Sequence, residues 1–363
     1  MKNLNLLIKP ASSLCNLECR YCFYKDVSKH RTKENTGIME YRVVYHLIDK
    51  ALSSVDCDGH ITFAFQGGEP TLAGLSFYKT FCEYVDKKKQ LQTIEYSIQT
   101  NTYVLDESWC IFFHSYNFLV GISLDGYKEN HDYFRLSVNN TPTFKSVMKT
   151  IDLFRKHHVE FNVLTVLSNQ LAKHPEKLYK FYQKEKIDNI QLIPCLAKLN
   201  KDKDEFSLSP RSFANFYKML FDIWIKEFNN GHYRSISLFD NLILMLSDTP
   251  PKQCGMLGFC SMQYVIESDG NVYPCDFYVL DKYNGGNICE TDLLKIVKST
   301  PIQKFLKETE FTSELCSSCA FVSICHGNCK RMKNNYIEND YCGYQDFLSY
   351  AYPSLMNIVK ARV

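Results

Sequence analysis

Three cysteines, Cys15, Cys19 and Cys22, stand in eight residues of the stretch "SLCNLECRYCFYK", directly after a short apolar run. Four thiolates close a tetrahedral metal site, and a structural site keeps no position open. Three thiolates wrapped around a [4Fe–4S] cube leave its fourth iron without a protein ligand. An open position at a metal is where chemistry is done. A second cysteine-rich stretch, "CSSCAFVSICHGNC", places Cys316, Cys319, Cys325 and Cys329 with gaps of two, five and three, and Cys254, Cys260, Cys275 and Cys342 lie around it. Eight thiols would complete two further cubes with no open iron, or two structural zinc sites, since paired C-x2-C steps serve both. Spacing alone does not divide the eight between two centres.

The chain that must position these thiols has 363 residues, enough for two domains. It is 45% apolar and 14% aromatic, which supports a packed core and excludes long disorder. Its 42 basic and 40 acidic residues leave a net charge of +2 and no basic field for nucleic acid or anionic lipid. No apolar run approaches membrane-spanning length, and no export signal is visible. Sixteen cysteines in a chain expected in the reducing cytoplasm point to metal or iron–sulfur ligation rather than disulfides.

Six β-rich runs, 4–10, 61–66, 94–99, 118–123, 160–167 and 189–194, alternate with amphipathic stretches such as 39–54 and 143–158. That alternation predicts a parallel sheet, open or curled into a partial barrel, with ligands at the carboxyl ends of its strands. The three-cysteine loop follows the first strand, so it belongs to that edge. After a helical segment near 211–230 the alternation stops. Residues 263–278 predict a hairpin turning at Asp269–Gly270. The domain boundary is placed near 235, giving domains 1–235 and 236–363.

"CNLECRYC" followed by Phe23 and Tyr24 resembles the cluster loop of radical S-adenosylmethionine enzymes, and "FQGGEPTL" after the second strand resembles that family's Gly-Gly-Glu-Pro segment. The resemblance implies a partial (β/α)6 barrel that binds S-adenosylmethionine. Cys15, Cys19 and Cys22 would hold a cluster, and Tyr21, Gly68, Ser123, Arg135 and Leu196 would contact the cofactor, with Glu69 supporting the loop. Ordinary roles compete: a capping serine, a solvated arginine, a core leucine. The later cysteines resemble the SPASM extension. Its crossing pattern implies one cluster on Cys254, Cys260, Cys275 and Cys329 and another on Cys316, Cys319, Cys325 and Cys342, three [4Fe–4S] clusters in all. Cys57, Cys82, Cys110, Cys195 and Cys289 remain, mostly as small buried hydrophobes.

Nearly the whole chain, including "LLIKPASS", "FAFQGGEPTLAG", "CGM" and "ESDGNVYPCDFYVLDK", is similar to anaerobic sulfatase-maturating enzymes. That similarity implies oxidation of a cysteine or serine in a sulfatase to Cα-formylglycine, with hydrogen abstraction from Cβ. Asp276 would be the base, and Tyr24 and Gln66 would touch substrate. The implied partners are an unfolded or nascent Cys/Ser-x-Pro/Ala-x-Arg segment and a flavodoxin- or ferredoxin-like electron donor. The alternative is another SPASM enzyme that crosslinks or epimerises a ribosomal peptide. Two departures stand out: Thr102 follows Asn101 where glycine is expected, and "HGNC" (326–329) replaces an expected Gly-Gly before the cysteine.

Overall fold

In the computed structural model, which describes residues 1–308 and 313–362, the six predicted strands are present. In chain order the main elements are β1 (Asn3–Ile8), α1 (Phe23–Ser28), α2 (Tyr41–Ser54), β2 (His60–Phe65), α3 (Leu75–Lys88), β3 (Thr93–Thr100), α4 (Glu107–Ser115), β4 (Leu119–Ser123), α5 (Lys128–Phe134), α6 (Phe144–Lys156), β5 (Phe161–Leu167), α7 (Pro175–Lys184), β6 (Asn189–Pro194), α8 (Pro210–Asn229), β7 (Ser235–Ile236), α9 (Ser237–Leu246), β8 (Val265–Ile266) and β9 (Val272–Tyr273). A helix of twenty residues, Gly343–Arg362, closes the chain. The fold class is α/β, with parallel strands alternating with helices.

The described chain forms two compact units. The first comprises Met1–Ser123, Arg135–Phe161 and Ser261–Glu308. Its strands run β4-β3-β2-β1-β8-β9. β1 to β4 are parallel, β8 joins the free edge of β1 in parallel at Leu7–Val265 and Ile8–Ile266, and β9 returns antiparallel. The hairpin predicted at 263–278 is thus present, with Gly270 at φ +87° in its turn, a conformation glycine adopts freely. Its docking on β1 was not foreseen. The apolar stripe read on α2, Val43, Val44, Leu47, Ile48, Ala51 and Leu52, is buried in full. Full burial of each larger aliphatic side chain contributes about 1.5–3 kcal/mol, so the stripe outweighs any helix propensity. Aromatics fill the layer between the helices and β2–β4. Phe65 meets Phe81 edge-on at 5.1 Å, and Tyr96 stacks on Phe118 at 5.1 Å.

The second unit comprises Leu124–Phe134, Asn162–Cys260 and residues 313–362. It holds β5, β6 and β7 in parallel order. Here α8 packs against the last helix through Phe213, Tyr217 and Phe221, which meet Phe347. Gly343 is required where that helix begins, because a Cβ there would lie 2.1 Å from the Pro210 carbonyl oxygen. Cys82, Cys110 and Cys195 are buried, as expected of small hydrophobes, whereas Cys57 is exposed and Cys289 half-buried.

Candidate active site

The loop between β1 and α1 carries Cys15, Cys19 and Cys22. Cys22 caps α1: its Sγ accepts the Lys25 N–H at 3.4 Å. The Cys15 Sγ accepts from Leu17 N at 3.4 Å and from Asn101 Nδ2 at 3.8 Å. A short antiparallel bridge, Leu17 to Ser137, ties the loop to the segment after Arg135, with Glu18 N donating to Leu136 O and Val138 N to Asn16 O. Burial, helped by the charge of Glu69, pushes the Cys15 thiol up to about 12. Such a thiol ionises only when a cation compensates the charge, which is what iron does. N–H groups aimed at the sulfurs are the contacts that cluster thiolates use. The loop thus supplies three cysteine thiols, the donor chemistry that iron–sulfur clusters take.

The segment after β2 lies beneath this loop. Gly68 N donates to Ser12 O and Glu69 N to Leu14 O. Gly68 has no alternative, since a Cβ would fall 2.0 Å from the Leu14 carbonyl oxygen. Glu69 is fully buried. Its carboxylate accepts from Thr71 N, Thr71 Oγ1, Thr100 Oγ1 and Asn101 N at 2.6–3.1 Å. Burial raises its pKa and these donors oppose the rise, with a net upward shift. Asn101, held in this way, reaches Asn16 Oδ1 at 2.7 Å as well as Cys15.

Thr102, the first departure from the expected pattern, has φ +54°. A β-branched residue is rare in that left-handed region, at a cost on the order of 1–3 kcal/mol. It is held there by its N–H to Thr100 Oγ1 and by Thr150 Oγ1 donating to its carbonyl, both at 3.0 Å. The second departure behaves alike: His326, Gly327 and Asn328 all have positive φ. Both places keep the backbone shape of glycine with other residues.

Tyr21, Gly68, Ser123 and Arg135 all belong to the first unit. The buried Arg135 guanidinium lies 5.6 Å from the Tyr21 ring centroid, and Thr143 Oγ1 donates to the Arg135 carbonyl. Ser123 is buried at the end of β4. Gln66 follows β2 with its N–H on Ile8 O. Leu196 belongs to the second unit, buried just past β6.

Asp276 starts a short turn after β9, next to Cys275. Its Oδ1 accepts from Lys9 Nζ at 2.5 Å, and its N–H donates to Gln263 Oε1. The Lys9 ammonium also sits 3.7 Å from the Tyr24 ring centroid. Tyr24 is buried, and its hydroxyl donates to Glu267 Oε1, which also accepts from Arg31 NH1 at 2.9 Å. Burial, then the charge of Glu267, holds the Tyr24 hydroxyl well above the usual phenol range. Lys9, Arg31 and Glu267 were not singled out from sequence. The available signal was a charged residue in each apolar strand end, "LLIKP" and "YVIES".

Within the second unit, Cys316, Cys319, Cys325 and Cys342 lie close enough to repel one another as thiolates. Burial raises Cys325 to about 11, with Cys319, Cys342 and Cys316 adding to the rise. Phe321 N donates to Cys319 Sγ and Gln345 N to Cys342 Sγ. The strap from Cys254 to Cys260 docks elsewhere. Gly255 rests against Cys329, 2.8 Å from its Cβ when given a Cβ of its own, and Gly258 against the His326 carbonyl.

Comparison with known proteins agrees with this arrangement. Residues 10–182 match the Radical SAM superfamily, and residues 254–320 match SPASM, an iron–sulfur cluster-binding domain. The chain is 42% identical to a cysteine-type anaerobic sulfatase-maturating enzyme of Clostridium novyi, over 92% of this chain and 89% of that one. It is 40% identical to the cysteine-type enzyme of Clostridium perfringens over 99% of both. Identity to a serine-type enzyme of Bacteroides thetaiotaomicron is 31%, over 91% and 83%. The structure of native anSMEcpe with bound AdoMet and Kp18Cys peptide superposes with a TM-score of 0.92 at 39% identity, over 99% of both chains. With its cluster loop, its glycine segment and relatives of this similarity along its full length, the chain belongs to the anaerobic sulfatase-maturating enzymes of the radical S-adenosylmethionine superfamily.

Proposed function

We propose that the protein oxidises a cysteine side chain in an unfolded or nascent sulfatase segment of the Cys-x-Pro-x-Arg type to Cα-formylglycine. The observation that carries this reading is Asp276, a partly accessible carboxylate beside Cys275, held by Lys9 in a chain whose 40–42% identical relatives are cysteine-type enzymes. When bound, the cluster and S-adenosylmethionine supply one-electron cofactor cleavage and hydrogen abstraction from the substrate Cβ. Cys15, Cys19 and Cys22 would hold that cluster. Tyr21, Gly68, Ser123, Arg135 and Leu196 would hold the cofactor, Arg135 matching a carboxylate with its planar fork. Asp276 takes the thiol proton as Cβ is oxidised to a thioaldehyde, which exchanges with water to give the formyl group and sulfide; taking that proton is the work of a general base. Tyr24 and Gln66 border the substrate.

Two further [4Fe–4S] clusters, one on Cys254, Cys260, Cys275 and Cys329 and one on Cys316, Cys319, Cys325 and Cys342, would take up the released electron. The placement of Asp276 next to a ligand of the first supports that route. A flavodoxin- or ferredoxin-like protein would supply the reducing electron. The reading places the enzyme in the cytoplasm, where thiols stay reduced; among the described residues no helix is long and apolar enough to cross a membrane.

The test is anaerobic incubation with S-adenosylmethionine, reductant and matched Cys-x-Pro-x-Arg and Ser-x-Pro-x-Arg peptides. A small mass loss with aldehyde reactivity on the cysteine peptide is expected, faster than on the serine peptide. An intramolecular crosslink without aldehyde would replace this reading with peptide crosslinking.

A further inference from the structure

A lysine is buried at the foot of the cluster loop. Lys9 directly follows β1, with 1% of its surface exposed. Removing an ammonium from water costs several kcal/mol unless partners replace the solvent. Its partners come from three elements. Asp276 Oδ1, in the turn after β9, lies 2.5 Å from Nζ. The Tyr24 ring, on α1, presents its face to the charge. The main-chain N–H of Lys9 donates to Ile266 O on β8 at 2.8 Å. Gly67, at φ +131°, walls in the aliphatic stem: a Cβ there would sit 3.3 Å from both Cβ and Cγ of Lys9. The Tyr24 ring is itself fixed through its hydroxyl by Glu267, which Arg31 holds in turn. Two cations and two carboxylates thus bracket one phenol ring, and the ammonium has little room to move.

We propose that Lys9 is a positioning residue for proton transfer, pinning one oxygen of Asp276 so that the other faces the substrate thiol. This rests on the reading of Asp276 as the base. Among the described residues Asp276 Oδ2 has no hydrogen-bond donor, and the side chain keeps 14% of its surface accessible. In the step, the substrate S–H bond breaks, its proton goes to Oδ2 and the electron pair stays on sulfur. Without Lys9 the carboxylate would rotate, and hydrogen abstraction would outrun deprotonation.

The experiment compares cluster-loaded parent enzyme with Lys9→Met, Lys9→Arg and Asp276→Asn on the Cys-x-Pro-x-Arg peptide. It measures 5′-deoxyadenosine, formylglycine, peptide KM and iron per chain. In Lys9→Met, formylglycine formation should fall about ten-fold or more, part of the ~10²–10⁴-fold that a positioned base as a whole contributes. Peptide KM should stay close to the parent value while deoxyadenosine accumulates without matching product. Lys9→Arg should recover part of the coupling, since it keeps the charge but not the point geometry. A parent-like ratio of product to deoxyadenosine in Lys9→Met, with Asp276→Asn uncoupled, overturns the proposal. Normal turnover by Asp276→Asn overturns the base reading itself. Should Lys9→Met fail to load iron, Lys9→Arg decides: a ratio below the parent's supports positioning and an unchanged ratio rejects it.

Discussion

Glu69 shows how much one side chain can organise. Its carboxylate gathers donors from its own turn and from the end of β3, and through Asn101 it governs an N–H on Cys15. Glu69→Ala would leave buried N–H groups of Thr71 and Asn101 without acceptors, each costing about 1–3 kcal/mol. We expect a loss of about 2–5 kcal/mol in stability, measured by denaturant unfolding. A variant as stable as the parent would show that water takes over these groups. At this scale the sequence was readable where residue type is chemically restrictive: glycine for close approach at Gly68, and Glu69 as the support of its loop. Lys9 escaped notice because an isolated lysine next to a strand is ordinarily a solvated edge residue. Only the fold reveals that Asp276, far along the chain, reaches back to it.

Between elements, the decisive contact is glycine against carbonyl. Gly68 lets the segment after β2 slide under the loop after β1, and no side-chain rotation relieves a Cβ placed on the Leu14 carbonyl. Gly68→Ala should therefore displace the loop rather than unfold the chain. On the proposed count of three cubes, with one held by that loop, iron per chain should fall by about a third, and 5′-deoxyadenosine formation should stop. Retention of full iron with normal cofactor cleavage would show that the loop tolerates the shift. The strands and helices of the alternating region were legible because their apolar periodicity repeats over many residues. The pairing of β8 with β1 was not, because two-residue strands carry no periodic signal and their partner is remote in sequence. Thr102 belongs here too. The expected glycine-like bend persists, held by Thr100 and Thr150 rather than by residue type.

For the whole molecule, cofactor load is the sharpest test. Anaerobically prepared protein should carry about twelve irons and twelve sulfides, four per cube. The triple substitution of Cys15, Cys19 and Cys22 by alanine should lower this to about eight and abolish cofactor cleavage while leaving the remaining absorbance. Zinc in place of iron in the purified protein would return the later cysteines to a structural role. β1 also has a temporal consequence. Its outer edge stays uncovered during synthesis until Val265 and Ile266 have left the ribosome, and an open strand edge invites pairing with other chains. The nascent polypeptide thus completes β1 with a hairpin far along the chain, and the ion-pair partner of Lys9 arrives in the same event. A chain interrupted before that point would have the three-cysteine loop but no hairpin to seal the sheet beside it.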